Sequence, residues 1–505
     1  MPDVIFRFDA SPRLGGGHAA RCGALGEAFT AAGLSVGSAV NRDAVGFVDA
    51  LMPGAPTIVE APDGEALRAA FTAGCRILVV DHYGWSAEQE RACRGWADRI
   101  LVLDDLVDRP HDCDLLADPT PGRWPSDYAG LTPSGSVVRT GPAYAPLRRT
   151  FPLRRTEALR RRNAGADGAG DPTDELRLLI AFGMGDHLEL TVPALEAVRG
   201  LEGIAAVDVT IGSAAPGIER VRALAAETPG VRLYEDADDM AALIAAADLG
   251  LGAAGGSSWE RCCLGLPTLA VRYVENQIGN AAALSDAGAA RLLGGPESCT
   301  PAALRAALAA LIANPAARTD MARAAARLCD GRGAARLALE AVPERAGDGA
   351  PVVLRPAEEA DRARVLAWQR EPGARAHFRN PDPPDEAAHA AWWSARMAGA
   401  EPGLEIVERA GEPVGFVRLD PAPDGSATGE EAPAADHEVS ILLAGAARGG
   451  GVGRAALAAL SRLVPGETLA AEVLPANAAS RSLFLAAGYR EERPGWFLKR
   501  ERGAA

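Results

Sequence analysis

Short apolar runs alternate with longer amphipathic stretches through the first two-thirds of this 505-residue chain, and that alternation constrains the fold more than any other feature. Ile77–Gly84, Arg99–Leu106, Leu176–Gly183, Val207–Gly212 and Ala247–Gly256 are each strand-length, apolar at the start and glycine- or acid-bearing at the end. Strand–helix alternation of this kind predicts parallel sheets with helices on both faces. Two such halves enclose a cleft, and ligands of open parallel sheets bind outside the carboxyl ends of the strands.

Two polar stretches punctuate the chain. Thr156–Glu175 and Pro343–Pro351 are rich in Gly, Ala, Pro and acidic residues and read as linkers. They divide the sequence into domains at 1–158, 174–342 and 351–505. The third piece has a different pattern: a strand at Val352–Arg355, helical segments rich in Ala and Trp, then extended runs at Leu404–Glu408, Val414–Leu419 and His437–Leu443. A glycine-rich turn at 447–454 opens an Ala/Leu helix. The expected class is α/β, two Rossmann-like domains followed by an α+β domain.

Several functions are excluded early. A formal charge of −15 argues against a nucleic-acid-binding face, which needs clustered Lys and Arg. Lys499 is the single lysine, so neither a Walker A loop nor Schiff-base chemistry on a buried lysine is available. A phosphate clamp must then use arginine, backbone N–H groups or helix ends. The longest apolar region, Met240–Trp259, is interrupted by Asp248 and does not read as a membrane span. Val4–Asp9 reads as a strand start and shows no secretory signal, so a cytoplasmic location is expected. Eight cysteines lack metal-ligand spacing and are expected to be reduced and mostly buried, with no structural metal.

The opening segment Arg7–Cys22 places a strand, the glycines Gly15, Gly16 and Gly17, and then a helix start carrying His18 and Arg21. Glycines there let backbone N–H groups approach an anion, and the helix end adds partial positive charge. In the first turn the dipole favours a neutral imidazole, which can accept a proton; a helix-capping histidine reads equally well. Together with Val80-Asp81-His82-Tyr83-Gly84, Leu103–Leu106, His111–Leu116, Gly141–Arg148, Gly255–Pro267 and Asn276-Gln277, this segment resembles the UDP-sugar hydrolases of pseudaminic acid biosynthesis over residues 4 to about 335.

That resemblance implies a GT-B arrangement of the two Rossmann-like domains and transfer of a glycosyl group to water, inverting and without a metal. It implies His18 as activator of the water with Asp9 close by, and Gly15, Gly17, Arg21, Asp81 and Tyr83 around the substrate. Gly255, Gly256, Ser257 and Ser258 would hold the nucleotide diphosphate, with Glu260, Asn276 and Gln277 at the nucleotide or sugar. Asp81, His82, Tyr83, Asp104 and Asp105 also suit turns and helix caps. Gly183-Met184-Gly185-Asp186 and Asp118-Pro119-Thr120 depart from the family pattern, and Cys262 and Cys263 read as core.

Arg448-Gly449-Gly450-Gly451-Val452-Gly453-Arg454 fits the pyrophosphate loop of GNAT acyltransferases, where backbone N–H groups at a helix start meet acetyl-CoA and side chains at Gly451 or Gly453 would obstruct it. Glu472–Tyr489, with Asn477 and Ser480 at a helix start and a Gly-aromatic ending, continues that resemblance. Trp368, His377-Phe378, His389 and Trp392-Trp393 are similar to the acetyltransferase of the same pathway, which acts on a UDP-linked 4-amino sugar; an acceptor pocket and a helix core fit these aromatics equally. Where many GNAT enzymes carry a thiolate-protonating tyrosine this chain has Phe484. Glu438 or His437 would draw the amine proton through water.

The two resemblances imply acetylation of a UDP-amino sugar followed by UDP removal in one chain, feeding nonulosonate synthesis and flagellar glycosylation. A GT-B glycosyltransferase with an accessory acetyltransferase, a related nonulosonate-pathway hydrolase for another nucleotide sugar, and a binding protein with decayed sites are the other readings.

Overall fold

A computed structural model describes residues 2–11, 15–59, 63–164, 176–186, 189–272, 277–399, 403–422 and 434–500. The chain divides into two compact units, Met1–Leu337 and Ala338–Ala505.

The first unit holds two parallel sheets. One contains β1 (Val4–Phe8), β2 (Val36–Val40), β3 (Thr57–Val59), β4 (Cys75–Asp81), β5 (Ala97–Leu103), β6 (Leu115–Asp118) and β7 (Val137–Thr140), in the order β3-β2-β1-β4-β5-β6-β7. The other contains β8 (Leu176–Ala181), β9 (Ile204–Ile211), β10 (Val231–Glu235), β11 (Leu249–Ala253), β12 (Thr268–Val271) and β13 (Ala290–Leu292), in the order β10-β9-β8-β11-β12-β13. Both are Rossmann-like, with the strand order reversing between β1 and β4 in one and between β8 and β11 in the other. Central strands are covered on both faces and so need uninterrupted apolar sequence. All five residues of β1 are buried, including Arg7, whose guanidinium lies over the Trp85 ring. Full burial of a side chain such as Ile5 or Phe6 contributes about 1.5–3 kcal/mol.

The polar stretch expected to be a linker from Thr156 is helical as far as residue 164, within the helix Thr150–Ala164; residues 165–175 lie outside those described. Arg, Leu and Ala are good helix formers, which composition-based linker reading overlooks. Phe151 and Ala158 bury against Trp259, Cys262 and Cys263 of the second sheet's layer. Arg155 fastens the helix there by donating to the Cys263, Cys329 and Ala326 carbonyls. Arg162 donates to the carbonyls of Ile244 and Ala247.

The second unit is one mixed sheet of β14 (Glu344–Arg345), β15 (Pro351–Pro356), β16 (Leu404–Arg409), β17 (Glu412–Pro421), β18 (His437–Leu443), β19 (Thr468–Glu472), β20 (Arg490–Arg493) and β21 (Trp496–Arg500), in the order β14-β15-β16-β17-β18-β19-β21-β20. The expected linker Pro343–Pro351 is instead a hairpin, β14 pairing antiparallel with β15. Parallel β18 and β19 pair only at His437/Leu469 and Glu438/Ala470, and beyond that point their ladder stops. This split interrupts an otherwise antiparallel sheet.

The eight cysteines are free thiols, seven of them buried, and Cys262 and Cys263 sit in the core as expected. No helix among the described residues is long and apolar enough to cross a membrane.

Candidate active sites

His18 and Asp81 mark the switch point of the first sheet. The helix Gly17–Ala31 follows β1, and Asp81 ends β4, the strand paired with β1 on the side where the order reverses. Gly15 has φ +79°, a left-handed turn that lets the chain reverse into the helix. His18 Nδ1 lies 2.6 Å from Asp81 Oδ1 and 3.0 Å from the Asp81 carbonyl. Two oxygen acceptors at Nδ1 place a proton there, so Nε2 is the ring nitrogen left to accept one. The Tyr83 ring meets His18 edge-on at 4.7 Å and fixes its plane.

Asp81 was expected to face substrate, yet it is fully buried. Arg21 grips it with two hydrogen bonds of 2.6 Å, from Nε and Nη2, and Arg21 Nη1 donates to Asp105 Oδ2 at 3.0 Å. Burial pushes the Asp81 carboxyl up, but Arg21 and His18 outweigh it and hold the group below the usual carboxylate range. Asp81 and Arg21 therefore orient His18 from behind. Asp105 also accepts from the Tyr83 hydroxyl at 3.3 Å.

Asp9, expected beside His18, has other partners. It accepts from Arg7 Nη1 at 2.5 Å and from the Asn41 amide, and meets His82 Nε2 at 2.9 Å. Burial opposes its ionisation, and His82 and Arg7 overcome that, keeping it ionised far below the ordinary range. Asp104 and Asp118 flank the Tyr128 hydroxyl at 2.8 and 2.9 Å inside the sheet's edge layer. Asp118 also caps its own turn by accepting from the Thr120 amide. Asp186, in the departing segment, is buried and accepts from the Leu190 and Thr191 amides, so it serves the following helix.

The second sheet repeats the plan at its own switch point. Gly255 and Gly256 follow β11 and lead into the helix Ser257–Cys263. A methyl group at Gly255 would meet Gln277 Nε2 at 2.8 Å, so the turn and Gln277 are in close approach. Ser257 and Ser258 hydroxyls accept from Arg261, which also donates to the Ala253 carbonyl at 2.5 Å. Glu260 is partly buried, and burial lifts its carboxyl to about 7 against the pull of Arg261 and Arg148. Asn276 lies outside the described residues.

In the second unit the helix Val452–Leu463 begins at the glycine turn. Gly451 has φ +79°, and a methyl group there would meet the Gly347 backbone nitrogen at 2.9 Å. At Gly453 a methyl group would meet Leu483 at 3.2 Å. Close chain packing is thus a reason for both glycines beyond clearance for a ligand. Methyl groups at Gly449 and Gly450 would meet nothing within 4 Å, so the turn is open where a phosphorylated ligand would approach the helix start. Arg448 Nε donates to the Leu443 carbonyl, while Arg454 occupies the first helical turn. Asn477 is an N-cap: its side chain accepts from the Ser480 amide at 3.0 Å.

Trp368 and His389, one of whose two readings was an acceptor pocket, are core. Trp368 packs with Val365, Trp393, Phe416 and Leu442. His389 is 2% exposed, donates from Nε2 to the Arg362 carbonyl and lies against Trp392 and Trp393. Phe484 is buried against Tyr489, and Tyr489 itself is buried. Glu438, at the β18/β19 split, accepts from Arg379 Nη2 at 2.8 Å, and Arg379 Nε reaches Glu472 at 2.6 Å. Arg379 carries no motif that singles it out in the sequence, whereas Glu472 opens the stretch Glu472–Tyr489 that the sequence had marked.

Residues 352–490 match the acetyltransferase (GNAT) domain model, and residues 207–337 match the glycosyltransferase family 28 C-terminal domain model. The chain is 26% identical over 290 residues to the UDP-2,4-diacetamido-2,4,6-trideoxy-beta-L-altropyranose hydrolase of Campylobacter jejuni, covering 56% of this chain and 97% of that protein. It is 30% identical over 162 residues to the spore coat polysaccharide biosynthesis protein SpsG of Bacillus subtilis, covering 32% of this chain and 48% of that protein. Among solved structures, Acinetobacter baumannii MurG aligns with a TM-score of 0.47 at 16% identity, over 67% of this chain and 98% of that one. The S. aureus MnaA–UDP structure aligns with a TM-score of 0.45 at 15% identity, over 67% and 95%. The chain is thus a homologue of the Campylobacter hydrolase and of SpsG that carries a glycosyltransferase family 28 C-terminal domain and ends in a GNAT domain.

Proposed function

We propose that this chain is a bifunctional nucleotide-sugar enzyme that acetylates a UDP-linked 4-amino sugar with acetyl-CoA and then hydrolyses the UDP-2,4-diacetamido-2,4,6-trideoxy-altrose so formed. The observation that carries the hydrolase reading is the His18–Asp81 pair at the β1/β4 switch point, in a chain that aligns with nearly all of the Campylobacter enzyme. His18 Nε2 takes a proton from water as its oxygen bonds to the anomeric carbon. The bond from that carbon to the diphosphate oxygen breaks and UDP leaves. Attack opposite the leaving group inverts the anomeric centre. The departing charge is met by the Gly255–Ser258 turn, with Glu260, Asn276 and Gln277 at the nucleotide or sugar and Gly15, Gly17 and Tyr83 on the facing side. Asp9 aligns His82 at the neighbouring strand end. Because helix ends and arginines supply the positive charge, the proposed step requires no metal.

In the second unit the amine nitrogen attacks the thioester carbonyl of acetyl-CoA, the C–S bond breaks so that coenzyme A leaves as its thiolate, to be protonated by solvent or another hydroxyl, and Glu438 receives the amine proton through water. Arg448–Arg454 cradle the pyrophosphate, with Asn477 and Ser480 shaping the adjoining helix start. The product would feed nonulosonate synthesis and flagellar glycosylation in the cytoplasm.

Incubation with the UDP-linked 4-amino sugar, with and without acetyl-CoA, followed by mass spectrometry, tests the proposal. Acetylation, then UDP release that His18→Ala abolishes, is the expected result. Intact UDP-sugar in every tube overturns the substrate assignment. The family 28 match favours one other reading, a glycosyltransferase, in which the sugar passes to an acceptor; release of free sugar without any acceptor rejects it.

A further inference from the structure

Arg379 joins two strands exactly where their ladder ends. β18 and β19 share their last paired position at Glu438/Ala470, and Glu472 lies two residues further along β19, on the same side of the strand as Ala470. Arg379, in the segment between the helices Arg362–Arg370 and Glu386–Ala398, donates from Nη2 to Glu438 Oε1 at 2.8 Å and from Nε to Glu472 Oε2 at 2.6 Å. One planar guanidinium thus spans both sides of the split, and its fork fixes direction as well as distance. Arg379 is 62% exposed while Glu438 is 11% exposed. Arg379 itself stands mostly in solvent, where an ion pair adds little stability. What it supplies is a set separation between two carboxylates on diverging strands, one of which is the proton acceptor proposed above.

We propose that Arg379 is a positioning residue for acetyl transfer: it straps β18 to β19 at the split and holds the Glu438 carboxylate in place. This rests on the acetyltransferase reading. Glu472 acts as the strap's second anchor and touches neither acetyl group nor amine. Lysine, a single point charge without a fork, meets one carboxylate at a time and restores the function only in part.

The test uses the full chain and two readouts. In acetyl transfer, Arg379→Ala lowers kcat by between about 10- and 100-fold, the scale of a small misplacement of a reacting group, and leaves the KM for acetyl-CoA within about twofold. Arg379→Lys recovers part of the loss. Glu472→Gln shows a smaller loss, and Arg379→Ala combined with Glu472→Gln is no worse than Arg379→Ala alone, because both remove one strap. In hydrogen-exchange mass spectrometry, which needs no turnover, Arg379→Ala raises exchange in 437–443 and 468–472 while the global unfolding midpoint stays put. Unchanged kcat, additive losses, or unchanged exchange in those segments overturns the proposal. Failure of the wild type to acetylate the amino sugar rejects the acetyltransferase reading instead, and the exchange comparison still decides whether the strap exists.

Discussion

His18 and Asp81, 63 positions apart in sequence, meet at 2.6 Å where β1 and β4 lie side by side at the reversal of strand order. The carboxylate accepts the hydrogen bond from Nδ1–H and is itself gripped by Arg21, so the imidazole has one orientation and one nitrogen left to accept a proton. Asp81→Asn keeps the size but offers a donor where the ring needs an acceptor, which favours the wrong tautomer. UDP release by Asp81→Asn is expected to fall by about 10²- to 10⁴-fold in kcat, in the range of His18→Ala. Asp9→Asn, which touches Arg7 and His82 instead, is expected to cost less. Single-turnover rates of the three variants check the order; equal losses for Asp9→Asn and Asp81→Asn would refute it.

Glu260 makes stability depend on pH. Burial raises its carboxyl from the ordinary 4.5 to about 7, so between those values the folded chain holds a proton that the unfolded chain has released. The stability this gives is complete below pH 4.5 and is lost as pH rises through about 7. Glu260→Gln removes the titration. Its unfolding midpoint, measured by calorimetry, is expected to gain on the wild type as pH rises across that window; parallel curves would exclude the buried proton.

The sheets and their switch points were legible because buried parallel strands need continuous apolar runs, and Val4–Phe8, Ile77–Asp81 and Leu249–Ala253 supply them. The glycine turns before His18, Ser257 and Val452 were legible for the same local reason. Pairings between distant segments were not. Nothing in the spacing indicates that Asp81, rather than the nearer Asp9, lies behind His18, since that depends on which strand neighbours β1. The aromatic residues at Trp368 and His389 fit a pocket or a core equally by helical spacing, and packing under β16–β18 decided for the core. Polar composition suggested a linker from Thr156, whereas Arg155, Arg161 and Arg162 spend their guanidiniums on carbonyls of the second sheet's layer and make the segment a docked helix.

At Gly451 two independent strains coincide. An alanine there would adopt a left-handed backbone, costing about 1–2 kcal/mol, and press its methyl group toward the Gly347 nitrogen 2.9 Å away. Gly451→Ala is expected to lower the unfolding midpoint of the second unit and to weaken acetyl-CoA binding by displacing the turn. His18-dependent UDP release is expected to persist. Calorimetric titration with acetyl-CoA, alongside the UDP-release assay, checks both halves; unaltered acetyl-CoA affinity would mean that the turn does not form the pyrophosphate cradle.

Phe484 occupies the position at which many GNAT enzymes carry a tyrosine, and the simplest rescue would be Phe484→Tyr. The packing argues against it. Phe484 is 4% exposed, its ring centroid lies 5.0 Å from that of Tyr489 and 6.3 Å from that of Phe497, so an added hydroxyl enters an apolar layer. Burying a hydroxyl without a partner costs about 1–3 kcal/mol. Phe484→Tyr is therefore expected to lose stability in urea unfolding by that amount and to gain nothing in acetyl-transfer rate, which places protonation of the leaving thiolate with solvent or another hydroxyl. A rate increase without loss of stability would show that the ring can turn its edge toward the acyl donor, and would return the proton-donor role to this position.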